Sequence, residues 1–130
     1  MTNTDLVLVD TLVWSAFFSK PASAEKRQVD LLLDEDRVGL IGPILAEVLR
    51  GFRRTEEADW VASRLRLAHY VEPNWEDRRT AAALGSQLAA KGHDIPLTDL
   101  VIAALAIRIQ AFVYTLDPHF DSIPELKRYP

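Results

Sequence analysis

Residues 6–10 of the chain read LVLVD, a run of four apolar residues that ends directly on an acid. The run shows no alternation of apolar and polar residues, which is typical of a strand buried on both faces of a sheet. Such strands occur in parallel sheets that helices cover on both sides. The segment therefore predicts the central strand of an α/β fold, and it places Asp10 at the carboxyl end of that strand.

Strand and helix patterns alternate along the rest of the chain. Short apolar runs predict further strands at residues 37–41, 69–71 and 111–115, and residues 124–130 leave room for a short edge strand. Apolar residues at helical spacing predict helices from about residue 12, over 22–34, from residue 43, and over 56–67, 74–91 and 99–108. This alternation predicts one domain, residues 1–130, with a parallel sheet and helices on both of its faces.

Composition limits the class of protein. The 130 residues are 48% apolar and 26% charged, which suits one globular domain with a single core. The absence of cysteine excludes disulfides and thiolate metal sites, so oxygen and imidazole remain as metal ligands. No apolar run approaches the ~20 residues of a membrane span, and the first residues do not resemble an export signal. We therefore expect a soluble, cytoplasmic protein.

Charge bears on which substrates the chain can bind. The net charge of −4 means that the molecule as a whole does not attract a polyanion, so a nucleic acid would need a metal ion and local basic groups. Arg50 and Arg54 follow Glu47 by one and two turns on the helix predicted from residue 43. Their guanidinium groups could bind phosphates that flank a reacting bond. The alternative is an ordinary solvated helix face.

Four acids stand at the borders of apolar segments: Asp10, Glu47, Asp99 and Asp117. Parallel α/β sheets gather ligands at the carboxyl ends of their strands, so acids that follow strands or open helices can converge there. Each acid alone also has a structural explanation as a cap, a turn residue or an exposed side chain. However, Asp10 follows the most apolar strand and Asp99 opens the most apolar helix, where a charge is costly without compensation. The pattern predicts one shared carboxylate site.

Converged carboxylates favour a divalent cation. Two carboxylates about 5 Å apart repel by roughly 3 kcal/mol at an effective dielectric constant of 20. Oxygen ligands favour Mg²⁺ or Mn²⁺ over zinc, and such an ion acidifies a water for phosphodiester hydrolysis. Thr11 and Thr115 adjoin the acids, and their hydroxyls could orient a carboxylate or a water. Helix capping and β-propensity are the alternative reasons for these two threonines.

These residues, in this order, resemble the PIN domain family, and within it the VapC-type toxin ribonucleases of bacterial toxin–antitoxin pairs. The resemblance covers nearly the whole chain and rests on VLVDTLVW with Asp10, EVLRGF with Glu47, KGHDIPLTDLVIAALA with Asp99, and YTLDPHFDSI with Asp117. It implies a three-layer α/β/α fold with a parallel sheet of about five strands. It also implies that the four acids are catalytic, bind Mg²⁺ or Mn²⁺, and cleave RNA endonucleolytically.

The same resemblance implies protein partners and shows one departure. Family members commonly form homodimers and are silenced by a small VapB-type antitoxin, whose C-terminal segment wraps the toxin and can place a basic side chain among the acids. Many relatives have a further acid two positions after the fourth, where this chain has His119. A lone loop histidine is usually exposed, so the sequence gives His119 no role.

Two other classes of similar architecture lack the residues that they need here. A signalling receiver domain needs adjacent acids after its first strand, but Thr11 follows Asp10. A haloacid-dehalogenase-type phosphatase needs a second aspartate two positions after its nucleophile, where this chain has Leu12. The remaining alternative is a PIN-like domain that binds RNA or a protein without cutting, because a fold alone does not establish activity.

Overall fold

The computed structural model describes residues 5–130, which form a five-stranded parallel sheet with six α-helices. Residues 1–4 of the predicted domain lie outside the described residues. The elements in chain order are β1 (Val7–Val9), α1 (Thr11–Ser19), α2 (Ala24–Asp34), β2 (Val38–Ile41), α3 (Gly42–Arg50), α4 (Thr55–Leu65), β3 (His69–Val71), α5 (Trp75–Ala90), α6 (Leu97–Ile109), β4 (Phe112–Tyr114), a 3₁₀ helix (Pro118–Ser122) and β5 (Lys127–Arg128).

Strand β1 lies at the centre of the sheet, whose order is β3-β2-β1-β4-β5 with every neighbouring pair parallel. All three residues of β1 are buried, as the uninterrupted apolar run predicts. The helices pack in two groups, α5 against α6, and α1 against α2 and α3. The predicted three-layer α/β/α fold with a parallel sheet is confirmed. Within residues 5–130, no helix combines the length and the apolar character that a membrane crossing requires.

Helix α6 is the most buried helix of the fold, and it carries Asp99 in its first turn. Five consecutive residues from Ile102 to Ala106 are buried because α6 packs against α5 and also contacts β4 and the 3₁₀ helix. The approach of the two helices is close: a Cβ atom added to Gly85 of α5 would lie 3.0 Å from Leu100 Cδ1. The apolar surroundings of α6 therefore fix the position of its first turn relative to the sheet.

A buried ion pair joins α5 to α6. Asp77 is only 2% exposed and accepts two hydrogen bonds from the Arg108 guanidinium, at 2.7 and 2.9 Å. Asp77 also completes a capping box, since its side chain accepts from the backbone N–H of Asn74 and its own N–H donates to the Asn74 side chain. One carboxylate thus fixes both the start of α5 and the end of α6.

Two differences from the predicted helix boundaries concern residues near the acids. Helix α6 begins at Leu97 after Pro96, two residues before the predicted start at residue 99, so Thr98 lies inside the helix and does not cap it. Helix α3 ends at Gly51, and Arg54 instead precedes α4, so the prediction that Arg54 continues the helix face of Glu47 is also wrong. A Cβ atom on Gly51 would meet the Val48 carbonyl of the preceding turn, at 3.3 Å, and no atom of another described segment within 4 Å. Gly51 therefore marks the end of α3 and not a close approach of another part of the chain.

Candidate metal centre

The sequence left two explanations for Asp10, a helix cap or a member of a shared carboxylate site, and the structure places it in both positions. It is the N-cap of α1, where one carboxylate oxygen accepts from the Thr11 N–H at 2.8 Å. The other oxygen accepts from the Thr115 hydroxyl at 2.8 Å. Because β1 and β4 are neighbours, the residues that follow these strands meet at one edge of the sheet. The carboxylate of Asp10 is thus held in one orientation at that edge.

Two threonine hydroxyls connect the acids to one another. Thr115 is 5% exposed, donates to Asp10, and accepts from the backbone N–H of Asp117 at 3.0 Å. Thr11 donates its hydroxyl to Glu47 Oε2 at 2.7 Å, which links the exposed Glu47 of α3 to the start of α1. The sequence suggested that these hydroxyls could orient carboxylates, and each hydroxyl donates to a different one: Thr11 to Glu47 and Thr115 to Asp10.

The histidine at position 119 lies between two of the acids. Its Nδ1 atom is 3.2 Å from Asp99 Oδ2 and 3.1 Å from Asp117 Oδ1. Its backbone N–H also donates to Asp117 Oδ1 at 2.9 Å. No role for His119 was predicted from sequence, because a lone loop histidine is usually an exposed side chain. The only sequence signal was its place two positions after Asp117, where many PIN relatives carry an acid.

The pKa of Asp99 reports how crowded the site is. Burial raises the pKa of this carboxyl above its ordinary value, and the neighbouring charges of Asp10 and Asp117 raise it further. The hydrogen bond with His119 opposes these effects without cancelling them. Asp99 therefore lies close enough to Asp10 and to Asp117 for both charges to act on it, and the Thr11 hydroxyl connects Glu47 to the start of the helix that Asp10 caps.

Asp99→Asn is expected to raise the melting temperature of the metal-free protein at pH 7. The charged form of Asp99 is disfavoured in the fold, and the amide removes that charge. Since the folded pKa is raised, the penalty is absent below the ordinary aspartate pKa of about 4 and appears as the pH rises through the folded value. Thermal melts in EDTA should thus show a gain at neutral pH that vanishes in acid. A variant that melts below the wild type at pH 7 would contradict this.

The donor set fits a hard divalent ion. Ligand atoms of Asp99, Asp117 and His119 all lie within 4.8 Å of one another, and the Asp10 charge acts on Asp99. A site dominated by carboxylate oxygens suits Mg²⁺ or Mn²⁺, and such an ion would offset the burial and the neighbouring negative charges that together raise the pKa of Asp99. The predicted convergence thus occurs for Asp10, Asp99 and Asp117, with Glu47 joined to them through the Thr11 hydroxyl.

The two arginines proposed from the sequence lie in different settings. Arg50 is exposed in the last turn of α3, one turn beyond Glu47. Arg54 precedes α4, and its guanidinium is 3.6 Å from the Glu57 carboxylate with 76% of the side chain exposed. An exposed pair of this kind contributes little to stability. Of these two arginines, therefore, Arg50 shares a helix with one of the four acids and Arg54 does not.

The protein combines a parallel α/β sheet with carboxylates gathered near the carboxyl ends of its central strands. This arrangement is typical of α/β domains that bind a divalent metal ion at that edge. The family model described as the PIN domain matches residues 7–126 of the chain. The chain belongs to the PIN domain family, as the four acidic segments predicted. A comparison with the sequences of curated proteins finds no match.

Solved structures with the same fold come from toxin–antitoxin proteins. A VapBC complex from Rickettsia felis bound to promoter DNA has 21% identity and a TM-score of 0.81, with 95% of this chain and 97% of that chain covered. A VapBC structure from nontypeable Haemophilus influenzae has 20% identity and a TM-score of 0.79, with 95% and 96% covered. A sarcin–ricin loop cleaving VapC toxin from Mycobacterium tuberculosis has 15% identity and a TM-score of 0.66, with 95% and 99% covered. At these identities the likeness shows the fold.

Proposed function

We propose that this protein is a VapC-type toxin, a metal-dependent endoribonuclease that hydrolyses RNA phosphodiester bonds and acts as a single nuclease domain in the cytoplasm. The observation that carries the proposal is the group of Asp10, Asp99 and Asp117 at one edge of the sheet, with Glu47 joined to it through Thr11. Membership of the PIN domain family and the cleaving toxin among the structural neighbours support it.

Each residue of the site has a distinct proposed task. The four acids would hold Mg²⁺ or Mn²⁺, and the chemistry supplied by such an ion would be the acidification of a water and the stabilisation of charge on the leaving oxygen. Thr115 keeps the Asp10 carboxylate in orientation, and Thr11 does the same for Glu47. Arg50, one turn from Glu47, binds a phosphate beside the reacting bond. Arg54, which precedes α4 and pairs with Glu57, is the weaker candidate for such a contact.

The direct test uses purified protein separated from any partner. We expect it to cleave RNA with Mg²⁺ or Mn²⁺, and we expect EDTA to abolish cleavage until the ion is restored. A gel assay on total RNA and on a synthetic RNA oligonucleotide measures both results. RNA binding without cleavage at any concentration of either ion would favour the non-catalytic alternative and contradict the proposal.

Thr115→Val is expected to lower the cleavage rate by ~10–100-fold, the usual cost of losing a group that orients a metal ligand. Valine has nearly the same shape but cannot donate to Asp10 Oδ2 or accept from the Asp117 N–H. Thr115→Ser keeps the hydroxyl and should retain most activity. Thr80→Val, at an exposed position of α5, is the matched control. Equal activity of the valine and serine variants would show that the hydroxyl does not orient the site.

We further propose that a small VapB-type antitoxin binds this protein and that the protein forms a homodimer. A basic side chain from the antitoxin, placed among Asp10, Asp99 and Asp117, would supply the positive charge that the ion otherwise supplies. Co-expression with the neighbouring genes, followed by native mass spectrometry, should show a complex with a small partner protein. Expression without that partner should slow growth. A protein that stays monomeric and harmless would contradict the toxin assignment.

A further inference from the structure

His119 is placed as a metal ligand would be placed. Ligands at about 2.1 Å from an octahedral ion lie about 3 Å from their nearest neighbours. The His119 Nδ1 atom lies 3.2 Å from Asp99 Oδ2 and 3.1 Å from Asp117 Oδ1, which are the separations of adjacent ligand atoms on one ion. The same three residues form a group whose ligand atoms lie within 4.8 Å of one another.

The position of His119 is held by its surroundings before any ion binds. Its backbone N–H donates to Asp117, whose own N–H donates to the buried Thr115 hydroxyl. Pro118 begins the 3₁₀ helix that carries His119, and Phe120, the next residue, is 1% exposed in the core. The imidazole therefore stands on a fixed turn, with 44% of the side chain exposed and Nδ1 directed at the two acids. A fixed turn of this kind preorganises a ligand.

We propose that His119 is a nitrogen ligand of the divalent ion held by Asp99 and Asp117, and that it makes this site select Mn²⁺ and later transition ions over Mg²⁺. The inference rests on the proposed metal-dependent function and adds the identity of the ion. Imidazole binds transition ions well, whereas Mg²⁺ prefers oxygen ligands and water. With Nδ1 on the ion, the ring proton resides on Nε2.

The competing explanation is that Nδ1 carries the proton and only donates a hydrogen bond to the two acids. That arrangement also accounts for the distances of 3.1 and 3.2 Å. It differs in what it predicts for the bound ion, because a hydrogen-bond donor adds no nitrogen to the coordination sphere and does not favour Mn²⁺ over Mg²⁺. Spectroscopy of the bound ion separates the two explanations without any reference to activity.

The experiment loads purified protein with Mn²⁺ alone and records pulsed electron paramagnetic resonance. We expect ¹⁴N coupling of directly bound imidazole in the wild type and its loss in His119→Ala. The control is His69→Ala, since His69 pairs with Asp36 at the beginning of β3 and should not affect the signal. Calorimetric titration with each ion gives the selectivity. His119→Ala should lower Mn²⁺ affinity by ~10-fold or more and leave Mg²⁺ affinity nearly unchanged.

His119→Asp gives a second measurement, because it replaces the nitrogen by the oxygen that many relatives have at this position. We expect this variant to gain Mg²⁺ affinity relative to Mn²⁺. Binding of Mn²⁺ by the wild type without ¹⁴N coupling, or equal selectivity in all variants, would overturn the role of His119 and leave the proposed nuclease intact. If neither ion bound to the wild type, the proposed function would fail together with this inference.

Discussion

Asp10→Asn is expected to reduce the rate of RNA cleavage by more than ~100-fold. Loss of a group that only orients a metal ligand costs ~10–100-fold, and this substitution removes the charge of a proposed ligand itself. Asparagine keeps nearly the same shape, and its single amide oxygen can still accept from either the Thr11 N–H or the Thr115 hydroxyl, so the fold should remain. Cleavage rates at saturating Mn²⁺, with circular dichroism to verify folding, measure the effect.

The matched control is Asp34→Asn. Asp34 is exposed at the end of α2, which precedes β2 and therefore lies toward the amino ends of the strands. This variant should cleave RNA at the wild-type rate. Undiminished cleavage by Asp10→Asn would remove Asp10 from the mechanism. An equal loss in both variants would mean that the assay reports overall charge and not the site.

Asp77→Ala is expected to lower the free energy of unfolding by about 2–3 kcal/mol. The substitution leaves Arg108 without its partner and removes half of the capping box at the start of α5. The value lies below that of a fully buried pair because the Arg108 side chain is 42% exposed, where solvent screens the charge. Urea unfolding at pH 7 measures the difference.

The control for this prediction is Glu76→Ala, in the same turn of α5. Glu76 is exposed and lies 3.6 Å from Arg79, so its removal should cost about 0.5 kcal/mol or less. Equal destabilisation by the two substitutions would show that the buried pair does not stabilise the fold.

The contribution of Asp77 should also depend on pH. Burial acts to raise the pKa of Asp77, but hydrogen bonds from Arg108 and the Asn74 backbone outweigh burial and hold the pKa below its ordinary value. A lowered folded pKa gives a stabilisation that is complete above the ordinary value of about 4 and is lost as the pH falls through the folded value. The difference between wild type and Asp77→Ala should thus shrink in acid.

The strands of the fold were predictable where a run of apolar residues in the sequence indicates a buried segment. A strand buried on both faces must be apolar throughout, so LVLV identified β1 as the central strand. The strand predicted at residues 69–71 coincides with β3, and the edge strand predicted within 124–130 is β5. Each of these predictions needs only residues close together in sequence.

Helix ends were less predictable because several local signals compete. Thr98 is a good capping residue and favours a helix from residue 99, but α6 begins two residues earlier, at Leu97 after Pro96. Apolar spacing from Ile44 to Phe52 suggested a helix that continued past Gly51, although glycine disfavours helical conformation and ends α3 there. Arg54 was misplaced for the same reason.

The proximity of Asp10, Asp99 and Asp117 was predictable from the sequence, but the contacts around them were not. Acids that follow strands converge because the topology of a parallel sheet requires it, so Asp10 and Asp117 were apparent from position alone. The Thr115 bond to Asp10 joins residues 105 apart, and the His119 contact with Asp99 joins residues 20 apart. Such contacts depend on how distant elements pack and rotate, which residue spacing does not encode.

The measurement that tests the metal site most directly is anomalous X-ray scattering from crystals of the partner-free protein soaked in Mn²⁺. The site proposed here requires an anomalous peak within coordination distance of Asp99 and Asp117, on the side that faces Asp10, and the loss of that peak in Asp99→Asn. Crystals with a fully ordered site and no peak at these carboxylates, in a protein that still cleaves RNA, would contradict it.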